Sequence, residues 1–222
     1  MATAIALTGG SLLLSDDLPE LPPERLRLVA RLLPLIGERA RVLDWFDEPI
    51  PTLLRLDLEN ETGQWHLLAV FNWGDKPTEE QVLPLEQFDL LAESYVARSF
   101  WTGESNCTQG GSLTLEPILA HGVCLLSLTP DPGTGQPLYL GSDLHISQGL
   151  EVAQWSATNR EVDFLLQRPG HAQGQVELHL ASPPTQIILD NQDISWEQSG
   201  PEIYRIDVAF SHRARIEVKT RS

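Results

Sequence analysis

From Ile50 to its C-terminus the chain is a succession of short apolar segments closed by turn residues, and this rhythm constrains the fold more than any other feature. The strongest segment is 65–73, Trp-His-Leu-Leu-Ala-Val-Phe-Asn-Trp, ended by Gly74-Asp75-Lys76-Pro77. Residues 52–58 precede it with a period-two pattern and the turn Asn60-Glu61-Thr62-Gly63. Segments 81–85, 94–101, 112–115 and 123–128 follow at the spacing of an antiparallel sandwich, with a turn or helical turn at 88–91. Residues 130–141 have the composition of a loop or linker. Six further short strands are predicted at 151–156, 161–167, 175–181, 186–189, 204–209 and 214–219, with a turn over 190–193.

The first 44 residues read differently. Gly9-Gly10-Ser11-Leu12-Leu13-Leu14-Ser15-Asp16-Asp17-Leu18 is a short apolar run bounded by glycines and turn residues, the pattern of a buried parallel strand. Pro22 and Pro23 suit the first turn of a helix, where a missing N–H costs nothing. Leu26, Val29, Ala30 and Leu33 then recur at helical spacing, and Pro34 ends the run. This stripe is expected to pack on the strand before it. The chain divides into a strand-helix unit over 1–44, an antiparallel β-sandwich over 45–130 and a second small β-module over 131–222, so the fold class is mainly β.

The N-terminal run, with Leu21-Pro22-Pro23-Glu24-Arg25 after it, resembles the last strand and helix of the (β/α)8 barrel in clan D glycoside hydrolases, the α-galactosidases or melibiases. A β-sandwich follows that strand in them. Leu68-Ala69-Val70-Phe71-Asn72-Trp73, residues 95–103 with Phe100-Trp101, and residues 117–128 with His121-Gly122-Val123 are similar, in the same order, to successive strands of that sandwich. Asp143-Leu144-His145-Ile146-Ser147-Gln148-Gly149 resembles the start of an extra β-module in some members of the clan. The resemblance implies that 1–44 is the end of a barrel whose other seven strands are missing from this chain. It also implies a parent activity, hydrolysis of α-galactosides by double displacement between two aspartates. The family's nucleophile follows a Lys-x-Asp pattern and its acid/base an Arg-x-x-x-Asp pattern. No Lys-x-Asp occurs here, where Lys76 and Lys219 are the two lysines, so no catalytic residue is carried over. The implied function is a truncated, non-catalytic C-terminal portion of such an enzyme, inactive alone, with a barrel-containing polypeptide or a second copy as partner. The alternative is a stand-alone carbohydrate-binding or assembly module.

Composition narrows the partners. A formal net charge of −16 disfavours nucleic acid, whose phosphates require a cationic surface. Residues 1–14 are apolar but lack the basic start and cleavage site of a signal peptide, and no run is long enough to span a membrane. Two cysteines, Cys107 in a loop and Cys124 in a strand, read as reduced thiols, and a cytoplasmic location is expected. Six scattered histidines show no metal-ligand spacing, so neither metal nor cofactor is expected.

Two sets of residues are candidates for contact with sugar. Asp16 and Asp17 would stand on a substrate rim, or else cap the following turn; adjacent residues leaving a strand point apart, which suits capping better than a shared catalytic task. Among six tryptophans, Trp155 and Trp196 lie in the more polar C-terminal region and are candidate stacking platforms. Trp65, Trp73 and Trp101 read as packing residues.

Overall fold

In the computed structural model, which describes residues 1–47, 49–108 and 111–221, the first half of the chain is built around a strand with no polar face. Its strands are β1 (Arg41–Val42), β2 (Leu53–Asn60), β3 (Gly63–Phe71), β4 (Gln81–Pro84), β5 (Tyr95–Ser99), β6 (Ser105–Cys107), β7 (Ser112–Leu115) and β8 (Val123–Pro130). Six of them form one antiparallel sheet in the order β1-β2-β3-β8-β5-β6, and β4 pairs with β7 as a separate ribbon. Along β3, Trp65, Leu67, Ala69 and Phe71 enter one core while Leu68 and Val70 enter another. A strand covered on both faces loses its alternation, which is why 65–71 reads as a nearly continuous apolar run. The ribbon with Leu85, Phe88 and Leu90 covers one face. The N-terminal segment covers the other.

That segment differs from its expected form. Residues 10–15 have no regular structure, and Leu13 is 88% exposed. A buried parallel strand needs neighbours for its N–H and C=O groups, and none of the described strands pairs with this stretch. Ala2–Leu7 instead forms a helix, α1, because Thr3, Ala6 and Leu7 share a face at helical spacing and all three are buried. Helix α2 (Pro23–Leu32) forms where expected, opened by Pro22 and Pro23, with Glu24 in its first turn and Arg31 in its last. The stripe is different, however. Leu32 is buried, whereas Leu26 and Leu33 are more than a third exposed, so the helix bears on the sandwich through its C-terminal end.

The second half comprises β9 (Leu138–Ser142), β10 (Val152–Ala157), β11 (Glu161–His179), β12 (Pro184–Leu189), β13 (Gln192–Asp193), β14 (Trp196–Gly200) and β15 (Ile203–Thr220). They run antiparallel in the order β10-β11-β15-β12-β13, with β9 added to β11 and β14 to β15. Four of the predicted short strands are therefore two long ones. Residues 168–174, with Pro169, and 210–213, the gaps between those predicted strands, lie inside β11 and β15, whose register shifts between Gln167 and His171. Proline lacks an N–H and is tolerated at such a bulge. The bent ribbon wraps both its halves around one core that contains Phe164, Leu166, Val176, Leu178, Ile206 and Ile216. Part of the expected linker is strand β9, and Cys107 lies in strand β6 rather than in a loop.

The two halves meet where Trp65, 4% exposed, rests on Gly149. A Cβ at Gly149 would fall 2.5 Å from the indole, closer than real side chains approach. Gly149→Ala should therefore destabilise the protein by about 1–3 kcal/mol through overpacking. Gly10→Ala, whose Cβ would find its nearest neighbour 3.9 Å away, should leave the midpoint of urea denaturation unchanged.

Candidate functional site

Asp16 and Asp17 are both exposed, on the loop before a 3-10 turn at Leu18–Glu20. Asp17 occupies the N-cap position without a side-chain hydrogen bond to the turn. Trp155 is half-buried, edge-on to Tyr139 at 6.1 Å and tilted against Phe164 at 5.5 Å, so much of its ring serves the second core. Trp196 is 36% exposed and meets the Tyr204 ring edge-on at 5.5 Å. The structure does not bring these four residues into one site. Trp65 is buried, Trp101 is partly buried against the first core, and Trp73 stacks on Phe71 at 4.9 Å. Among the described residues no group of three or more His, Cys, Asp or Glu is arranged to hold a metal ion. No described helix is long and apolar enough to cross a membrane.

Polar residues are instead concentrated at the junction of the two halves. Arg98 of β5 and Glu177 of β11 face each other across it, with side chains 1% and 0% exposed and Nε 3.2 Å from Oε2. Arg98 Nη1 donates to Gln148 Oε1 (2.8 Å) and to the Ser142 carbonyl (3.1 Å). The other Glu177 oxygen accepts from Arg205 at 2.7 Å, and Ser105 donates to the first. Burial pulls the Arg98 pKa down, opposed by the charge of Glu177. Close by, Glu151 accepts from Tyr139 (2.7 Å) and Ser142. Burial, reinforced by this carboxylate, pushes the Tyr139 pKa well above the usual phenol range, so the phenol stays a donor. Residues 143–149 form the loop between these groups. His145 Nδ1 lies 2.6 Å from the Ser147 hydroxyl and its Nε2 2.8 Å from the Pro34 carbonyl. Burial lowers the His145 pKa and Arg168 lowers it further, against the pull of Glu151. The ring is accordingly neutral, with Nε2–H donating to Pro34.

Sequence reading missed this network. Its signal was a charge inside an alternating strand, Arg98 in Tyr-Val-Ala-Arg-Ser and Glu177 in Gln-Val-Glu-Leu-His, but only the strand register shows that the two charges meet.

Two open clefts flank the junction. One, of about 930 Å3, lies between the ribbon and the β5–β6 end of the first sheet, with Ser99, Asn106, Thr114, Glu104 and Glu116 on its walls. The other, of about 780 Å3, separates α2 from the β11–β15 ribbon. Several wall carboxylates are already engaged. Asp143 is held by Arg31 (2.6 Å) and the Gln175 N–H (2.6 Å), Asp207 accepts from the Gln175 amide (2.9 Å), and Glu104 accepts from Thr102 (3.1 Å). Cys124, at the first cleft, has its thiol pKa pushed up to about 11 by burial and is a poor nucleophile. The chemistry these walls offer is hydrogen bonding to a ligand.

Neither a protein-family model nor a curated protein sequence matches the chain. Solved structures do. The chain is similar to α-galactosidase I from Mortierella vinacea at 18% identity and a TM-score of 0.47, over 59% of this chain and 34% of that one. It is similar to a GH27 β-L-arabinopyranosidase from Geobacillus stearothermophilus at 18% identity and a TM-score of 0.47, over 60% of this chain and 30% of that one. It is also similar to the isomalto-dextranase of Arthrobacter globiformis T6 complexed with panose, at 12% identity and a TM-score of 0.41, over 99% of this chain and 44% of that one. The chain spans about a third of the length of the first two structures.

Two outcomes are expected at the junction. Arg98→Met should cost about 3–5 kcal/mol of unfolding free energy by leaving Glu177 buried beside one partner fewer, and adding Glu177→Met should restore part of the loss. The second concerns pH. A histidine whose folded pKa is depressed contributes stability that is complete above its unfolded value near 6.5 and is lost as pH falls through the folded value. Urea midpoints should therefore fall less between pH 7 and pH 5 in His145→Gln than in the wild type.

Proposed function

We propose that this chain is the non-catalytic, β-rich portion of an α-galactosidase-like glycoside hydrolase, and that it works with a catalytic barrel which it does not itself contain. The observation that carries this reading is the clamp at Asn72. The Asn72 amide donates to the carbonyls of Lys76 (2.8 Å), Ile118 (2.9 Å) and Leu119 (3.0 Å), and its backbone N–H donates to Gly122 (3.0 Å). His121 takes a positive φ of 56°, and a Cβ on Gly122 would lie 2.7 Å from the Leu119 oxygen. The Val-Phe-Asn strand end and the His-Gly turn, two separate pieces of the sequence resemblance, are thus one physical unit. Such a unit supports a shared sandwich more strongly than either motif alone.

Two further observations agree with it. Double displacement needs a pair of carboxyl groups about 5–5.5 Å apart beside an open sugar site, whereas the buried Glu151 and Glu177 are occupied by tyrosine, serine and arginine donors. Exposed apolar side chains also gather on the N-terminal segment, where Leu13, Leu14, Leu18, Leu26, Leu33 and Leu35 are all more than a third exposed. Clustered exposure of this kind marks a surface that another protein covers, and the barrel is the partner the resemblance supplies.

The test is hydrolysis of a panel of aryl α- and β-glycosides by the purified chain. No turnover is expected. Turnover abolished by Asp16→Asn or Asp17→Asn would overturn the reading, since it would mean that this chain holds its own catalytic carboxylate. The exposed leucines give a second readout. Replacing Leu13, Leu18 and Leu26 together by Gln should reduce binding of an apolar fluorescent dye without lowering the urea midpoint.

A further inference from the structure

We infer that the cleft between α2 and the β11–β15 ribbon binds a neutral sugar of one to a few pyranose rings, with Trp101 as its apolar platform. The inference stands on the cleft itself and does not rest on the accessory reading above.

Trp101 lines this cleft as a pinned ring. Its indole N–H donates to the Thr3 hydroxyl at 3.2 Å, and Phe100 meets it edge-on at 4.8 Å and 78°. A platform fixed in advance loses little side-chain freedom when a ligand stacks on it. Another wall is formed by the paired strands β11 and β15. Gln175 stands directly across from Asp207 in the register, and Gln173 from Ala209. The Gln175 amide donates to Asp207 at 2.9 Å, so that one amide and one carboxylate are held side by side in the cleft. Planar groups of this kind present paired donors and acceptors, which is what neighbouring hydroxyls on a sugar ring require.

Charge argues against an anionic ligand. Glu24, Asp143 and Asp207 stand against Arg27 and Arg31 on the walls, and Arg31 is already tied to Asp143 at 2.6 Å. A phosphate or carboxylate ligand would meet a net negative cleft in a chain of net charge −16. A peptide adding as a strand would need a free sheet edge, but Gln173, Gln175 and Asp207 lie on two strands already paired with each other. The volume of about 780 Å3 is that of a small-molecule site. A neutral pyranose, with an apolar ring face for Trp101 and hydroxyls for the Gln175–Asp207 pair, fits these walls.

The test is a titration followed by the indole N–H resonances in a 15N-labelled sample. The sugars are methyl α-D-galactopyranoside, raffinose, isomaltotriose and cellotriose, each added to tens of millimolar. The Trp101 resonance, assigned by its loss in Trp101→Phe, should shift saturably with at least one of them. Asp207→Asn and Gln173→Ala change exposed side chains and should each weaken that binding at least about tenfold. Trp196→Phe should leave it unchanged. The proposal is overturned if no sugar moves the Trp101 signal, or if the shift persists at full strength in both cleft variants. It is equally overturned if Trp196→Phe abolishes the shift.

Discussion

The arrangement of the two β units depends on one buried ion pair, Arg98 with Glu177. Removing both charges from water is costly, and the pair is tolerable only because its geometry and surrounding hydrogen bonds are supplied by residues from both halves. Arg98 reaches β9 and the following loop through Ser142 and Gln148, and Glu177 is shared with Arg205 and Ser105. Gly141 is required by the same contact: it sits at a φ of 140°, and a Cβ there would lie 3.2 Å from Arg98 Cδ. Sliding either sheet by one residue would turn one of these charges to the opposite face and leave the other buried alone. The pair therefore fixes register and orientation, a task that apolar contacts between sheets perform poorly because they are non-directional.

The loop over 143–149 carries this specification to the N-terminus. Asp143 holds Arg31, His145 holds the Pro34 carbonyl, and the Ile146 N–H donates to the Arg31 carbonyl at 2.9 Å. Arg168 adds bonds to the carbonyls of Ala30 and Leu33, filling the orphan acceptors at the end of α2. On the other side, Trp65 donates to the Ser147 carbonyl at 2.9 Å and rests on Gly149. A short polar segment with little helix or strand of its own thus joins α2, the first sheet and the second sheet, and it is buried because each neighbour supplies a partner.

Much of the strand order was legible because apolar period and turn residues act locally. Residues 65–73 could be assigned from their composition, and α2 from Pro22, Pro23 and helical spacing. Three features could not. Residues 9–18 look like a buried strand, but a strand exists only where neighbours complete its hydrogen bonds, and those neighbours are a tertiary fact. Residues 168–174 and 210–213 interrupt the apolar pattern locally, yet the pairing of β11 with β15 continues past them with a bulge. Arg98 and Glu177 stand 79 positions apart in the sequence, in different β units, so their meeting depends on registers that no local pattern encodes. The candidate site was still less legible. Trp101 is identified by its neighbours from α1, α2 and β15, and nothing in Phe-Trp-Thr-Gly reveals them.

Helix α2 connects the two functional proposals physically. Leu28 and Arg31 line the cleft, while Leu26 and Leu33 are more than a third exposed, as are Leu13, Leu14 and Leu18 of the N-terminal segment. A protein seated on those leucines would press on the same ten-residue helix that forms one wall of the sugar cleft. The helix has little freedom to yield alone, since its C-terminal carbonyls are held by Arg168 and by the loop that meets Trp65. Trp101 is tied in as well, through its bond to Thr3 of α1. The cleft is therefore bounded by elements whose positions are fixed from outside it, α2 by Arg168 and the 143–149 loop and Trp101 by Thr3.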